Sequence, residues 1–554
     1  MALSSEKSLR SWIAPGIEGG TLPLLPGGRA MSWTNDVARA CILQLNRPLY
    51  LSLRGGAWEL LELSGVEPGD AAQPLPVHAQ IPPIHPAQFG DPQFRGTHGL
   101  RYNYVTGAMA NGIASEAVVE AMARAGGLGF FGAAGLSPER VERALKHLAA
   151  SLGSLPYGFN LIHSPNEASH ELAIADLYLA HGLHLVEASA YLDLTLAIVK
   201  YRVAGIHRDA AGRIVAPNRV VAKISRVEVA TRFLSPPPEA LLDELLRQGH
   251  ITPEQKELAR QIPMAEDLTA EADSGGHTDN RPAIALLPTI MALRDRLQQR
   301  FDYATPPRVG LAGGISTPAS ALAAFSMGAA FIMTGTVNQA CVESGSSDLV
   351  RQMLAEAGQA DVAMAPAADM FEMGVEVQVL KRGTMFSMRG ARLYELYRSC
   401  GSLEEIPAAE RAKLEKQFFR ATLEETWQST RAFFLERDPR QVTLAEADPK
   451  HKMALLFRSY LGQASRWANA GDASRKIDFQ VWCGPAMGAF NEWVKGSFLE
   501  APGERRIATV ARNILFGAAV LQRAHLLRLQ DVPVPHDLFT IVPKRAEELE
   551  ELFA

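Results

Sequence analysis

The sequence predicts an α/β protein: a (β/α)8 TIM barrel with a small β-rich N-terminal segment before it and a helical C-terminal region after it. Three observations carry this expectation. From about residue 99, β-type runs alternate with helix signals until eight strands are counted over roughly 250 residues. Glycine-rich loops follow the later strands, above all Asp273-Ser274-Gly275-Gly276-His277-Thr278-Asp279-Asn280-Arg281-Pro282, Gly313-Gly314 and Gly335-Thr336. The composition, 47% hydrophobic and 21% charged over 554 residues, is that of a globular chain with two or more domains.

Composition also excludes function classes. A net charge of −5 gives no global basic field, which argues against nucleic acid as a partner. The four cysteines, Cys41, Cys341, Cys400 and Cys483, are far apart with no CxxC. That pattern argues against a disulfide framework or a structural zinc site and fits a reducing compartment. The N-terminus carries no apolar stretch behind basic residues, and no apolar run approaches the ~20 residues needed to span a bilayer. A soluble, cytoplasmic protein is expected, with no metal and no membrane contact.

Residues 1–85 carry turn signals (Gly19-Gly20, Pro26-Gly27-Gly28, Gly55-Gly56) around strand-like runs at 41–45 and 49–53, then a proline-rich linker from Gln73 to Pro86. The barrel is expected over 86–360. Its strands are read at 100–105, 128–132, 157–162, 183–188, 219–224, 268–273, 308–312 and 330–333. Ser115 is expected to cap one helix, and Ser137 with Pro138 to open the next. Further helices are read from about Asn166, after Asp193 and over 283–297. A hairpin-like insertion is read at 206–216 and a helical one at 236–265. From 361 to 554 the chain is expected to be largely helical, with long amphipathic helices at 408–434 and 452–467.

The loops after strands seven and eight are the strongest signal. Gly313 and Gly314 precede Thr317-Pro318, a good N-cap and first helical residue, and Gly335-Thr336 opens another helix. Barrels place phosphate groups between these two loops, where backbone N–H groups must be reachable. Polar residues end other strands. Asn160 closes strand three, Glu187 strand four and Lys223 strand five. Ala108 and Met109 follow strand one. Such groups could surround a flat ring, and a lysine in the barrel mouth suits negative charge on a reduced flavin. His277 follows two glycines, and a histidine there can titrate near neutral pH.

These residues resemble a known group. Tyr104-Val-Thr-Gly-Ala-Met-Ala110, the Gly-Gly-His loop and the paired glycine loops look like the FMN barrels of the nitronate monooxygenase superfamily. A narrower resemblance, over about 99–525, is to the PfaD family of trans-acting enoyl reductases. It rests on Val186-Glu-Ala-Ser-Ala190, the 273–282 stretch, Ala365-Pro-Ala-Ala-Asp-Met-Phe-Glu-Met-Gly374, Leu380-Lys-Arg-Gly-Thr-Met385, His451-Lys-Met-Ala454, Ser465-Arg-Trp-Ala468 and Trp482-Cys-Gly-Pro-Ala-Met-Gly488. The resemblance implies FMN, NADPH or NADH as transient reductant, and an enoyl thioester on an acyl carrier protein of a polyketide or fatty acid synthase. It makes Asn160, Lys223, Gly275, Gly276, Gly313, Gly314, Gly335 and Thr336 cofactor contacts, with Ala108, Met109 and Glu187 beside them. His277 and Lys223 become the catalytic candidates: His277 as proton donor or enolate stabiliser, Lys223 as holder of the reduced flavin's charge. The helical region is assigned the acyl arm and carrier, with Lys381, Arg382, Arg389 and Arg392 as an expected basic patch. A homodimer is compatible with this reading. The alternatives are a nitronate monooxygenase-type flavin oxidase and a non-catalytic synthase subunit.

Overall fold

A computed structural model describes residues 24–25, 29–62, 75–165 and 167–553. They form two compact units, residues 1–86 with 516–554, and residues 87–515.

The larger unit contains the barrel. Its strands are β1 (Tyr104–Thr106), β2 (Leu128–Phe131), β3 (Gly158–Ile162), β4 (Leu185–Ser189), β5 (Arg219–Ile224), β6 (Asp267–Glu271), β7 (Arg308–Ala312) and β8 (Ile332–Thr334). All neighbours pair in parallel and β8 closes on β1. The eight strands match the expected count to within a few residues at each end. The helix starts follow the cap chemistry: Ser115 accepts from the Val118 amide, Ser137 precedes Pro138, and Thr317 forms a capping box with Ser320 ahead of Pro318. The 206–216 hairpin and the helical insertion (Glu239–Arg247 and Pro253–Ala259) are present.

The floor of the barrel is filled by Phe94, Val105, Leu128, Phe130, Val221 and Phe331, all buried. An ionic cluster sits beside this apolar layer. Asp267, the first residue of β6, lies directly opposite Arg308, the first of β7. Its two oxygens accept from Arg308 Nε at 2.6 Å, Arg308 Nη2 at 3.0 Å and His98 Nε2 at 2.8 Å. Burial works against the carboxylate, but His98 and Arg308 outweigh it and hold Asp267 below the ordinary range.

Beyond the barrel the chain departs from the expected run of helices. Val362–Pro366 and Glu376–Leu380 pair antiparallel, and Gly276–His277 adds a third strand. The signal was the alternation Val375-Glu-Val-Gln-Val379, a half-buried strand pattern inside a segment read as helical. The helix expected over 408–434 is broken. It runs Ala408–Lys413, widens into a π-helix at Leu414–Phe419, turns at Arg420 (φ +57°) and restarts at Leu423–Arg437. Thr422 and Glu425 form the capping box that dictates the restart. The second expected helix is longer, Pro449–Ala470, with Asp448 as N-cap and Gly471 at its left-handed C-terminus. Its buried face packs with Phe371, Phe386, Leu393, Phe418 and Trp427 in one apolar cluster.

The smaller unit holds a four-stranded antiparallel sheet, ordered Arg29–Ser32, Ala57–Glu62, Leu49–Arg54, Ala79–Ile81. The expected strand at 41–45 is not formed: its first three residues end the helix Asn35–Leu43, nucleated by Thr34, whose side chain accepts from the Val37 amide. That apolar run was too short for periodicity to separate strand from helix. Within this unit the buried Arg523 donates to the carbonyls of Cys41, Leu45 and Arg47. The turn signals at Gly19-Gly20 and Pro26-Gly27-Gly28, the start of the linker at Gln73-Pro74, and Asn166 lie outside the described residues. Among the described residues no helix is long and apolar enough to cross a membrane.

Candidate active site

The C-terminal ends of the barrel strands converge on a charged cluster whose arrangement follows from strand register. Glu187 on β4 lies opposite Val221 on β5. Two residues further on, Lys223 lies opposite Thr269 on β6. Two further still, Glu271 ends that strand. A period of two keeps all three on the inner face, and each step across climbs towards the mouth. Lys223 Nζ ends 3.2 Å from Glu271 Oε1 and 3.6 Å from Glu187 Oε1. Desolvation pulls the ammonium down, yet Glu271 and Glu187 outweigh it and Lys223 is raised. One cation faces two carboxyls, so the more deeply buried one gives way: burial pushes Glu187 up, against Lys223 and the Ala108 amide. Glu187 Oε2 accepts that amide at 2.7 Å, while Oε1 makes no hydrogen bond. Glu187 therefore fixes the Ala108 loop and Lys223 from behind. It lines neither of the cavities described next.

A cavity of about 1290 Å³ opens above Lys223. Ala108, Met109, Asn160, Lys223, Gly275, Gly276 and His277 line it on the barrel side. The Asn160 carboxamide oxygen is occupied by the Ala133 and Ala134 amides at 2.7 and 3.3 Å, which leaves its NH2 group to meet a ligand. Its other wall comes from the helices Leu423–Arg437 and Pro449–Ala470 and the 367–377 stretch. A smaller cavity of about 80 Å³ adjoins the loops after β7 and β8, lined by Gly313, Gly314, Gly335, Thr336, Ser274 and Gly484. Ala108, Met109, Lys223, Glu271 and Gly275 line both spaces. A Cβ on Gly313 would lie 2.6 Å from the Ala272 carbonyl carbon, whereas the Cβ positions of Gly314 and Gly335 are open space. The Thr336 hydroxyl accepts from the Gly484 amide at 3.2 Å, so the 482–488 motif closes this end.

The Gly-Gly-His loop is held by its neighbours. A Cβ on Gly275 would lie 2.9 Å from backbone atoms of Cys483 and Gly484, so its lack of a side chain is required by a neighbouring loop. Gly276 needs its φ of +83°. The residues after His277, given no role by sequence, lock the loop. Asp279 pairs with Arg226 and accepts from Ser225, and Asn280 and Gln378 both donate to Asp273 Oδ1.

His277 pairs in register with Val377 and faces the large cavity. Its Nε2 is 3.3 Å from Asp369 Oδ1. Desolvation lowers the imidazolium, but Asp369 and then Glu271 outweigh it, so His277 is raised. Asp369 was visible only as one letter of a resembling motif, because its pairing depends on the small sheet that sequence reading missed. The expected basic patch does not form at the cavity. Arg389 pairs with the buried Asp478, Arg392 with Glu395 and Glu410, Arg382 with Asp361, and none of the four, Lys381 included, lines it.

Fold and site together define a TIM-barrel protein with its chemistry at the C-terminal strand ends, one wall of the pocket being supplied by an appended helical region. The chain belongs to the nitronate monooxygenase family, whose model matches residues 96–395, and is thereby an oxidoreductase. Residues 400–479 match the inserted helical domain of [acyl-carrier-protein] S-malonyltransferase. The chain is 46% identical over 90% of its length to a polyunsaturated fatty acid synthase polypeptide of Thraustochytrium, and 44% identical over 78% to the polyketide biosynthesis protein PksE of Bacillus subtilis. It spans 34% and 56% of those proteins. Among solved structures it is similar to the enoyl reductase domain of MlnA from the macrolactin cluster of Bacillus amyloliquefaciens. There the TM-score is 0.75 and the identity 39%, covering 80% of this chain and 99% of that one. The PfaD resemblance read from the motifs agrees with these relatives.

Proposed function

We propose that the chain is an FMN-dependent enoyl reductase that saturates the 2,3 double bond of an enoyl thioester carried on an acyl carrier protein, with NADPH or NADH as electron source. The observation that carries this reading is the 1290 Å³ cavity, walled on one side by the barrel and on the other by the appended helices. A small substrate does not require that second wall. A thioester on a long flexible arm does.

The residues fit the cofactor. The smaller cavity has the scale of one tetrahedral anion, with open Cβ positions at Gly314 and Gly335, and it joins the larger one along Ala108, Met109 and Lys223. That suits a flat ring joined to a phosphate. When bound, FMN supplies a hydride for the β-carbon. Lys223 holds positive charge at the cavity floor, and the Asn160 NH2 group offers a hydrogen bond there. His277, whose imidazolium form Asp369 favours, presents a proton at the cavity wall. It gives that proton to the α-carbon or donates a hydrogen bond to the thioester oxygen as enolate character grows.

The test is anaerobic. Purified protein, NADPH or NADH and an enoyl-loaded carrier protein are incubated, and the acyl chain is weighed by mass spectrometry. A gain of two hydrogens is expected, in a protein that carries flavin absorbance. Oxygen-dependent turnover of a small nitronate without enoyl reduction would replace this reading with the oxidase. A colourless, inactive protein would replace it with a non-catalytic subunit.

A further inference from the structure

One cluster lining the large cavity has no part in the chemistry above. Arg466 on the helix Pro449–Ala470 and Arg437 on the helix Leu423–Arg437 approach the same ring, with guanidinium carbons 5.5 and 5.8 Å from the Phe433 centroid. Phe433, Arg437, Arg466 and His170 all line the cavity. Arg437 pairs with Glu167, its Nε and Nη2 both donating to Oε2, at 3.1 and 2.8 Å. Arg466 has no carboxylate and no hydrogen bond among the described residues, only the face of Phe433. The His170 ring likewise makes no hydrogen bond among them. The local sum is two guanidiniums against one carboxylate. Desolvation and then Arg437 lower Arg466, and desolvation and then Arg437 lower His170, which favours the neutral imidazole there. A like-charged pair of this kind, with Arg466 open to the cavity and without a carboxylate, favours an anion with several acceptor oxygens. Guanidinium forks match phosphate in geometry as well as charge.

We propose that Arg466, with Arg437 and His170, forms a second anion site in the large cavity, separate from the glycine cradle, and that it takes a phosphate ester. Two molecules of the proposed reaction bring one: the phosphopantetheine arm of the carrier protein and the dinucleotide reductant. The proposal rests on the enoyl reductase reading for the source of its ligand. Its test needs no turnover.

Equilibrium binding is measured by calorimetry on the full chain and on Arg466→Ala, with 4′-phosphopantetheine, pantetheine, NADPH and NADH as probes. Loss of one charge-assisted contact is expected to weaken a phosphorylated ligand roughly tenfold. If phosphopantetheine weakens in the variant while pantetheine binds both proteins alike, the site serves the acyl arm. If NADPH weakens and phosphopantetheine does not, it serves the dinucleotide. Arg466→Lys recovers part of whichever loss appears. The proposal is overturned if both proteins bind every phosphorylated probe equally, or if the wild type prefers neither phosphorylated form over its counterpart. Enoyl reduction is scored separately, so a chain that binds these probes but saturates nothing would sink the proposed function and leave this site standing.

Discussion

Strand β6 carries a buried charge cluster at each end, and the two are built on opposite plans. At the floor, Asp267 is one carboxylate held by two donors, Arg308 and His98, with both oxygens hydrogen-bonded. At the mouth, Lys223 is one cation between two carboxyls, with Glu187 Oε1 left without a hydrogen bond. Asp267, Thr269 and Glu271 share the inner face of the same five-residue strand. The floor cluster is closed and lines neither of the two cavities. The mouth cluster is open, and its central lysine lines both cavities. A satisfied buried network holds a barrel together, while an unsatisfied one at the C-terminal end is poised to meet a ligand.

The sharpest way to break this comparison is at the floor. Asp267→Asn leaves Arg308 buried without its counter-charge. A loss of about 3–5 kcal/mol in unfolding free energy is expected from denaturant titration, with turnover per folded molecule retained. The pH dependence has a definite sign. Asp267 is depressed in the fold, so it contributes stability above its unfolded pKa that fades as pH falls through the folded one. The variant lacks that acid limb. A change under about 1 kcal/mol would mean that the cluster is not structural.

At the mouth the order of effects reverses. Lys223→Met removes the cation that the cavities share. Reductase turnover is expected to fall by about 10²–10³ and flavin retention to weaken, while stability falls less than for Asp267→Asn because the mouth cluster is only partly closed. Equal losses of stability in the two variants would erase the distinction between the two ends.

The mouth was partly legible in the sequence and the floor cluster was not, and the residues show why. The glycine loops after β7 and β8, the caps at Ser115, Ser137 and Thr317, and the lysine ending β5 are local signals, carried within a few residues. The contacts of Glu187, Asp369 and Arg466 are not local. Glu187 faces inward as expected but acts through Lys223 and the Ala108 amide. Asp369 reaches His277 only because Glu376–Leu380 pairs with Gly276–His277. Arg466 meets Phe433 across two helices, the second of which starts only after the break at Arg420. Register, strand pairing and helix breaks set these contacts, and no spacing within one segment encodes them.

Asp369 extends the open plan of the mouth to His277. Because Asp369 raises the histidine, a general acid there works below that raised value and loses activity as pH rises through it. Asp369→Asn removes the largest raising influence, so the alkaline limb of kcat is expected to move to lower pH, with about tenfold lower activity at the pH where the wild-type limb begins. An unmoved limb would take the proton from another group.

The smallest effect is expected at Glu187, and it decides what the mouth cluster is. Burial pushes this carboxyl towards its protonated form, and its two tasks are to accept the Ala108 amide and to back Lys223. Glu187→Gln keeps the shape and the accepting oxygen. If the native cluster holds one net proton more than its formal charges imply, the amide changes little: under about 1 kcal/mol in stability and a few-fold at most in turnover. If Glu187 is instead ionised and carries the charge that holds Lys223 in place, the same substitution releases the lysine towards Glu271. Activity then falls as far as it does in Lys223→Met. The first outcome leaves a mouth with one ion pair and a spare carboxyl, unlike the floor. The second would make it the floor's mirror image, two carboxylates closing on one cation.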